Sequence, residues 1–173
     1  MIEIKDKKIL VADKKLDEFA DVQARLWDAL FQKNSAKVPL QKIKLDEVDL
    51  KPFLPSLGIG DFLFDENGNI FDMEATHMGE KLAKFYGQRK GQRLIGNYSA
   101  HSFRTDLPTN YYQFKSLIDA LLEKKCPLLM ISHYKKDDQN DIIVKGFVIP
   151  VTNVEGKIDC VIGCGDIEVI PNE

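Results

Sequence analysis

The sequence has no apolar run near the ~20 residues that a membrane-spanning helix needs. Its first residues, MIEIKDKKIL, mix charges with an apolar stretch too short for a signal peptide. The three cysteines, Cys126, Cys160 and Cys164, form no CxxC pair, and their odd number argues against a disulfide framework. These absences predict a cytoplasmic protein whose reduced thiols act as small apolar core residues.

The chain also has no basic excess. It carries 24 Lys and Arg against 27 Asp and Glu, for a net charge of −3. These charges are scattered along the chain, which indicates a solvated surface and argues against a nucleic-acid interface. The 173 residues suffice for one domain with its own core, and no repeat or linker divides them. We therefore predict a single domain over residues 1–173.

Catalytic and metal-binding motifs are missing as well. His77, His101 and His133 lie in three separate segments, without an HxH or HExxH spacing that would place two of them on one face. No GxSxG elbow and no Gly-rich phosphate loop occurs. The sequence therefore indicates no catalytic residue and no metal ligand.

Apolar periodicity predicts five strands. The clearest signal is Asn67-Gly68 between two apolar runs, which predicts a hairpin with strands over 58–65 and 69–75. Three β-type runs follow near the C-terminus, PLLMISHY, IIVKGFVIPV and KIDCVIGCGDIEV, with turn sequences between them. Because the strands come in hairpin groups and do not alternate with helices, we expect an α+β fold with one antiparallel sheet and helices on one face.

Helical periodicity marks four further segments. An amphipathic helix is predicted over about 13–34, and a long helix with a regular apolar stripe over 110–125. A short helix is predicted to begin at Asp46, and another to run from Thr76 to Gly87. Residues 1–12 show only weak periodicity and predict no regular element.

The order of a hairpin, a helical middle with one long helix, and three strands is that of a PAS domain. The segment VPLQKIKLDEVDLKPFLPSLGIGDFLFD resembles the start of a PAS-like family common in alphaproteobacteria. The shared features are Leu26-Trp27 in an N-terminal helix, Pro39 after that helix, and Leu54-Pro55 before the first strand. The fold that this resemblance implies is a PAS-like five-stranded antiparallel sheet with an extra N-terminal amphipathic helix.

The likeness continues beyond the first strand, with two departures. The aromatic-glycine pair Tyr86-Gly87 and the further glycine Gly91 match the family pattern, whereas Ala75 stands where the family often has glycine. The helix after Thr76 is also longer than is usual there. The resemblance covers about residues 20–168, and the PAS core is expected over about 46–169.

The resemblance implies a stand-alone sensory or regulatory module that binds a small molecule or a partner protein. The sequence ends a few residues after the last strand, so any output is expected in trans. It has no Asn-Cys-Arg motif of flavin-binding PAS domains, and its long helix has no histidine for haem, although His101 in the preceding loop leaves haem open. The alternative is a small enzyme or ligand carrier that uses Asp72, Glu74 or Tyr98 as the polar group of the same cavity. A pocket lined only by apolar residues would favour the sensor.

Aromatic residues of the helical middle suggest where a pocket would lie. The predicted lining residues are Met73, Tyr86, Tyr98, Phe103, Phe114, Ile118, Met130 and Phe147. Such residues are typical of a largely apolar small-molecule site between sheet and helices, but plain core packing is the commoner role of such residues.

The N-terminal helix is a second candidate surface. Its apolar residues exceed what one small sheet is expected to cover, and the predicted interface residues are Leu16, Phe19, Trp27, Leu30 and Phe31. An exposed apolar stripe marks a contact surface, so we expect a two-fold homodimer through this helix.

Overall fold

A computed structural model describes residues 2–12, 16–32, 38–86, 110–136 and 140–171 of the chain. The strands are β1 (Ile2–Val11), β2 (Leu40–Gln41), β3 (Leu57–Phe64), β4 (Ile70–Met78), β5 (Leu128–Lys136), β6 (Asp141–Thr152) and β7 (Ile158–Ile170). The helices are α1 (Asp21–Phe31), α2 (Lys42–Asp46), α3 (Glu80–Tyr86) and α4 (Asn110–Lys124), with a 3-10 helix over Lys51–Ser56. The five predicted strands and the long helix are thus confirmed.

Two hairpins share one turn design. In the β3–β4 turn, Asp65 Oδ1 accepts hydrogen bonds from the backbone N–H groups of Asn67 and Asn69, each at 2.9 Å, and Gly68 takes a φ of +80°. In the β6–β7 turn, Asn153 Oδ1 accepts from the second and fourth residues after it, and Gly156 takes a φ of +81°. Both turns therefore need an Asp or Asn at the first position and a glycine three residues later.

The sheet has seven strands rather than the expected five. Its order is β1-β5-β6-β7-β3-β4, and all of these neighbours are antiparallel. The two-residue β2 pairs with β6 in parallel, through Leu40 with Val151 and Gln41 with Thr152. The five predicted strands form one continuous sheet, and β1 extends it at the β5 edge. Sequence periodicity missed β1 because charged residues interrupt its apolar positions, as is common in edge strands.

Helices cover both faces of the sheet, so the expectation of helices on one face is wrong. On one side, which we call the α1 face, Phe147 and Ile162 pack with α1, α2 and the 3-10 helix. On the opposite side, the α4 face, Met130, Val148 and Val161 pack with α4. Because side chains alternate along a strand, the neighbours in sequence Phe147 and Val148 enter different layers. The nearly continuous apolar runs of β5–β7 are typical of strands buried on both faces.

Three predicted helix boundaries are wrong. Helix α1 begins at Asp21, whereas Asp17 and Glu18 form a turn. Helix α2 ends at Asp46 instead of beginning there. Thr76 and His77 belong to β4, because pairing with β3 continues as far as Met78 opposite Gly58. In the third case the hydrogen-bonded pairing with β3 overrides the local helical preference.

Candidate functional site

A group of glycines forms the floor of a pocket on the α4 face. Five of the chain's 11 glycines line it: Gly58, Gly60, Gly146, Gly163 and Gly165. Gly146 lies opposite Gly165 on the neighbouring strand, and Gly58 lies opposite Gly163. Paired glycines on adjacent strands leave bare backbone where side chains would otherwise fill the layer. The concavity is thus built into β3, β6 and β7 themselves.

The space above three of these glycines is open to a small addition. A Cβ atom at Gly58 would meet its nearest neighbour, Leu82 Cδ1, at 3.5 Å. At Gly146 the nearest atom would be Met130 Cε at 3.9 Å, and at Gly163 it would be a Val148 methyl at 3.7 Å. These are ordinary van der Waals distances, so single methyl groups fit here without displacing a neighbour.

Methionines supply the pocket walls. Three of the chain's four methionines, Met73, Met78 and Met130, line the pocket. The side chain of Met73 fills the space over Gly60, where a Cβ would lie 2.8 Å from its sulfur. Methionine side chains are flexible and polarisable, and their sulfur atoms make favourable contacts with aromatic rings. The walls can therefore adapt to apolar occupants of different shape.

Leu82 of α3 covers one end of the glycine floor, and a tight contact fixes α3 in place. Any Cβ at Gly79 would collide with the carbonyl oxygens of Leu54 and Pro55 in the 3-10 helix, so only glycine fits there. The Gly79 N–H donates to the Leu57 carbonyl at 2.7 Å. The ring of His77 hydrogen-bonds through Nε2 with the Leu54 carbonyl at 2.9 Å. The end of β4 and the start of α3 are thereby held against the 3-10 helix.

Helix α4 forms the roof. Leu117 and Ile118 line the pocket, and Leu121 packs in the same apolar cluster. The pocket has a volume of about 100 Å³, which is below the roughly 300–1,000 Å³ of sites for drug-sized ligands. The space suits a molecule of a few non-hydrogen atoms. The described lining residues include no Asp, Glu, Lys, Arg or His.

The structure brings together three of the eight predicted pocket residues. Met73, Ile118 and Met130 line the pocket. Phe147 does not, because it faces the α1 side of the sheet, and its prediction as a pocket residue is wrong. The remaining four lie outside the described side chains: Tyr86, Tyr98, Phe103 and Phe114.

Sequence reasoning missed the glycine floor, although a signal for it exists. Gly58 and Gly60 form a Gly-x-Gly pair in β3, and Gly163 and Gly165 form another in β7. A spacing of two residues in a strand puts both glycines on the same face. Two such pairs in adjacent antiparallel strands indicate a depression in the sheet, once the strands are known to be neighbours.

The predicted interface residues lie in the α1-face core. Trp27 is fully buried, and Phe19 and Leu30 are each 9% exposed. The Trp27 ring contacts Phe19, Phe31 and Phe147, with ring centroids 5.9, 4.8 and 6.0 Å apart. Leu16 and Phe31 are half-buried against the same cluster. The stripe therefore covers the second face of the sheet, and none of these five side chains is fully exposed, as a dimer interface through this helix would require.

Cys160 and Cys164 are buried free thiols, as predicted. Burial raises the pKa of each thiol to about 12, and the carboxylates of Asp61 and Asp166 add to the rise at Cys160 and Cys164 respectively. The thiolate is the reactive form, so both groups are protonated and inert at neutral pH. Within the described residues no group of three or more His, Cys, Asp or Glu side chains could hold a metal ion.

A larger cleft lies outside the sheet layers, between α1, α3 and β7. It has a volume of about 670 Å³ and is bordered by Arg25, Lys81 and Lys84 as well as by Asp21 and Asp166. Arg25 pairs with Asp21 at 3.4 Å. Its mixed charges favour no ligand class, whereas the glycine-floored pocket has a uniform apolar lining.

No protein-family model matches the chain, and no curated protein or solved structure is significantly similar to it. None of the helices that the structure describes combines the length and apolar character needed to cross a bilayer. Any functional conclusion therefore rests on the geometry of the pocket and on the order of the elements.

Proposed function

We propose that the protein is a PAS-type sensory or regulatory module of the cytoplasm that binds a small apolar molecule in the glycine-floored pocket. The observation that carries the proposal is the pocket itself, which lies between the sheet and the long helix α4. The order of hairpin, long helix and three strands, joined in one antiparallel sheet, supports the PAS resemblance. Binding would change the packing of the floor, and a change in packing is what a sensor transmits.

The chemistry of the lining selects the ligand class. Met73, Met78 and Met130 offer thioethers, and the glycine floor offers the flat face of peptide groups. A ligand with an ionised group would lose its hydration without gaining a partner among the described lining residues, at a cost of several kcal/mol. A compact apolar or aromatic molecule avoids that penalty and gains contacts with sulfur.

The alternative function, a small enzyme or ligand carrier with a polar group in this cavity, is less well supported. Asp72 is buried, but it lies between pocket residue Met73 and exposed Phe71 on the strand, and its Oδ1 accepts from the Met73 N–H at 2.7 Å. Glu74 is exposed, and Tyr98 is outside the described residues. The described lining offers no general acid or base, which favours the sensor.

Binding can be tested with benzene as the probe and with methyl-labelled methionine as the reporter. We expect benzene to shift the methyl NMR signals of Met73, Met78 and Met130 saturably. Gly146→Val should abolish the shifts, because its side chain would occupy the floor. Ile143→Val, three residues away on the opposite face of β6, is the matched control and should bind benzene normally.

Two results would overturn the proposal. One is the absence of a saturable shift at any benzene concentration below its solubility limit. The other is an equal response in the Gly146→Val variant and the wild-type protein. Native mass spectrometry of freshly purified protein, compared with its denatured mass, would then identify any natural ligand by the difference between the two masses.

A further inference from the structure

One buried amide connects helix α1 to the sheet directly beneath the pocket floor. Gln23 is fully buried, and its Nε2 donates to the carbonyl oxygens of Lys145 at 2.9 Å and Cys164 at 2.8 Å. Its Oε1 accepts from the Ala20 N–H at 3.0 Å. Only the NH2 end of the amide can face two carbonyl oxygens, so these three partners fix its orientation.

The two carbonyl groups belong to the peptide units that lead into Gly146 and Gly165. These two glycines lie opposite each other on β6 and β7, and both line the pocket on the α4 face. Gln23 approaches the same peptide units from the α1 face. A molecule on the floor thus meets the Gly146 peptide unit directly, whereas the Leu82 side chain of α3 lies over Gly165 and contacts that glycine from the pocket side. Elsewhere in β6, side chains such as Val148 and Phe147 thicken the sheet on both faces.

We infer that Gln23 couples occupancy of the pocket to the position of helix α1. The inference rests on the proposed function, because it assigns α1 as the element that responds to the ligand. An occupant presses directly on Gly146, and on Gly165 through the Leu82 side chain above it. Tilting of the two peptide units is carried by the bonds to Gln23 into the first turn of α1. A coupling of this kind is reciprocal, so releasing Gln23 also changes the affinity for the ligand.

Trp27 provides a reporter at the right place. It is the only tryptophan of the chain, it lies one helical turn after Gln23, and it is fully buried among aromatic rings of the α1 face. Its indole N–H therefore gives one NMR signal that is sensitive to the position of α1. The sheet separates this ring from the pocket, so a ligand reaches it only through the backbone or through space.

The experiment compares the full-length wild-type protein, Gln23→Leu and the matched control Gln41→Leu, an exposed position in β2, each titrated with benzene. We expect the wild-type Trp27 signal to shift with the same midpoint as the methionine methyl signals. In Gln23→Leu the Trp27 shift should fall by about twofold or more, and the benzene Kd should change by about fivefold or more. Gln41→Leu should behave like the wild-type protein.

An unchanged Trp27 shift in Gln23→Leu would overturn the inference, because a through-space effect of benzene survives that substitution. So would methionine shifts without any Trp27 shift.

A second arm needs no ligand and separates the two proposals. If benzene does not bind, the proposed function fails, and the coupling is then decided by Gly146→Val, which places a side chain on the floor. The coupling predicts that Gly146→Val moves the Trp27 signal in the Gln23 background and moves it about half as far or less in the Gln23→Leu background. Equal displacement in both backgrounds would refute the role of Gln23.

Discussion

The two faces of the sheet use the same strands for different purposes. On the α1 face, large aromatic and aliphatic side chains fill the layer, and Trp27, Phe147 and Ile162 have less than 1% of their surface exposed. On the α4 face, the same strands contribute glycines, and flexible methionines surround the space that those glycines leave. Dense packing stabilises a fold, whereas an unfilled layer forgoes contacts. The difference indicates that the α1 face contributes more to the stability of the fold, whereas the α4 face forgoes contacts and leaves an open pocket.

The largest expected effect is on the filled face. Trp27→Ala removes a fully buried ring that contacts three other aromatic rings, and it should lower the free energy of unfolding by about 3–5 kcal/mol. Urea titration followed by far-UV circular dichroism measures the loss. A loss below about 1 kcal/mol would mean that the α1 face collapses around the cavity, and it would contradict the contrast between the faces.

The thiols of the α1 face predict a loss of stability in alkali. Cys160 and Cys164 each have a pKa of about 12 in the fold, against 9.0 for an ordinary thiol, so between these values the folded chain binds more protons than the unfolded chain. This contribution to stability is complete below the unfolded pKa and falls as the pH rises toward the folded pKa, by at most about 1.4 kcal/mol per pH unit per thiol.

Urea titrations of the wild-type protein and of Cys160→Ala/Cys164→Ala at about pH 8 and about pH 10 test this dependence. The double variant should lose less stability over this interval than the wild-type protein does. Lysines and tyrosines titrate equally in both proteins, so an identical loss would show that the two thiols contribute nothing.

A glycine that borders the pocket wall should tolerate substitution poorly. Gly79→Ala forces a methyl group against the Leu54 and Pro55 carbonyl oxygens, so α3 must shift. We expect a loss of about 1–3 kcal/mol in the free energy of unfolding and weaker benzene binding, since Leu82 moves with α3. An unchanged free energy of unfolding would show that the 3-10 helix and α3 can move apart at little cost, and it would contradict the view that only glycine fits at this position.

Substitution of a floor glycine should have the smallest effect on stability, and it should not destabilise the fold as substitution of Gly79 does. At Gly163 a methyl group meets only ordinary contacts and the backbone φ is one that alanine adopts readily. Gly163→Ala should therefore leave stability unchanged or raise it by roughly 0.5–1 kcal/mol, because glycine in a strand is entropically costly. Benzene affinity should fall at the same time. Destabilisation as large as that of Gly79→Ala would contradict the view that the floor is open space.

The order of helices and strands can be predicted from the sequence more reliably than the face of the sheet on which each side chain lies. Asn67-Gly68 and the apolar stripe of 110–125 are local signals, so the hairpin and α4 were predictable. A period of two shows that Phe147 and Val148 face apart, but it does not show which of them meets α4. The sequence therefore predicts Phe147 in the pocket, although this residue lies in the other layer. The face depends on strand neighbours far apart in sequence.

The glycine floor shows the same limit for the pocket. Met73, Ile118 and Met130 could be predicted as pocket residues because apolar residues on the long helix and the facing strands must meet. The pairs of Gly146 with Gly165 and of Gly58 with Gly163 depend on strand register, which no local pattern fixes. Likewise, nothing in the periodicity of α1 shows that Gln23 would reach two backbone carbonyls of β6 and β7.

The place of β1 in the sheet has a consequence for folding order. Its partner β5 is more than 100 residues away along the chain, as in the pair of Ile9 with Met130. Closing so long a loop carries an entropic cost that is recovered only after the partner has formed. We therefore expect β1 to pair with β5 late in folding, after the C-terminal strands have formed. By the same reasoning its amides should be among the first to open under mild denaturation, ahead of the central ladder of β6 with β7.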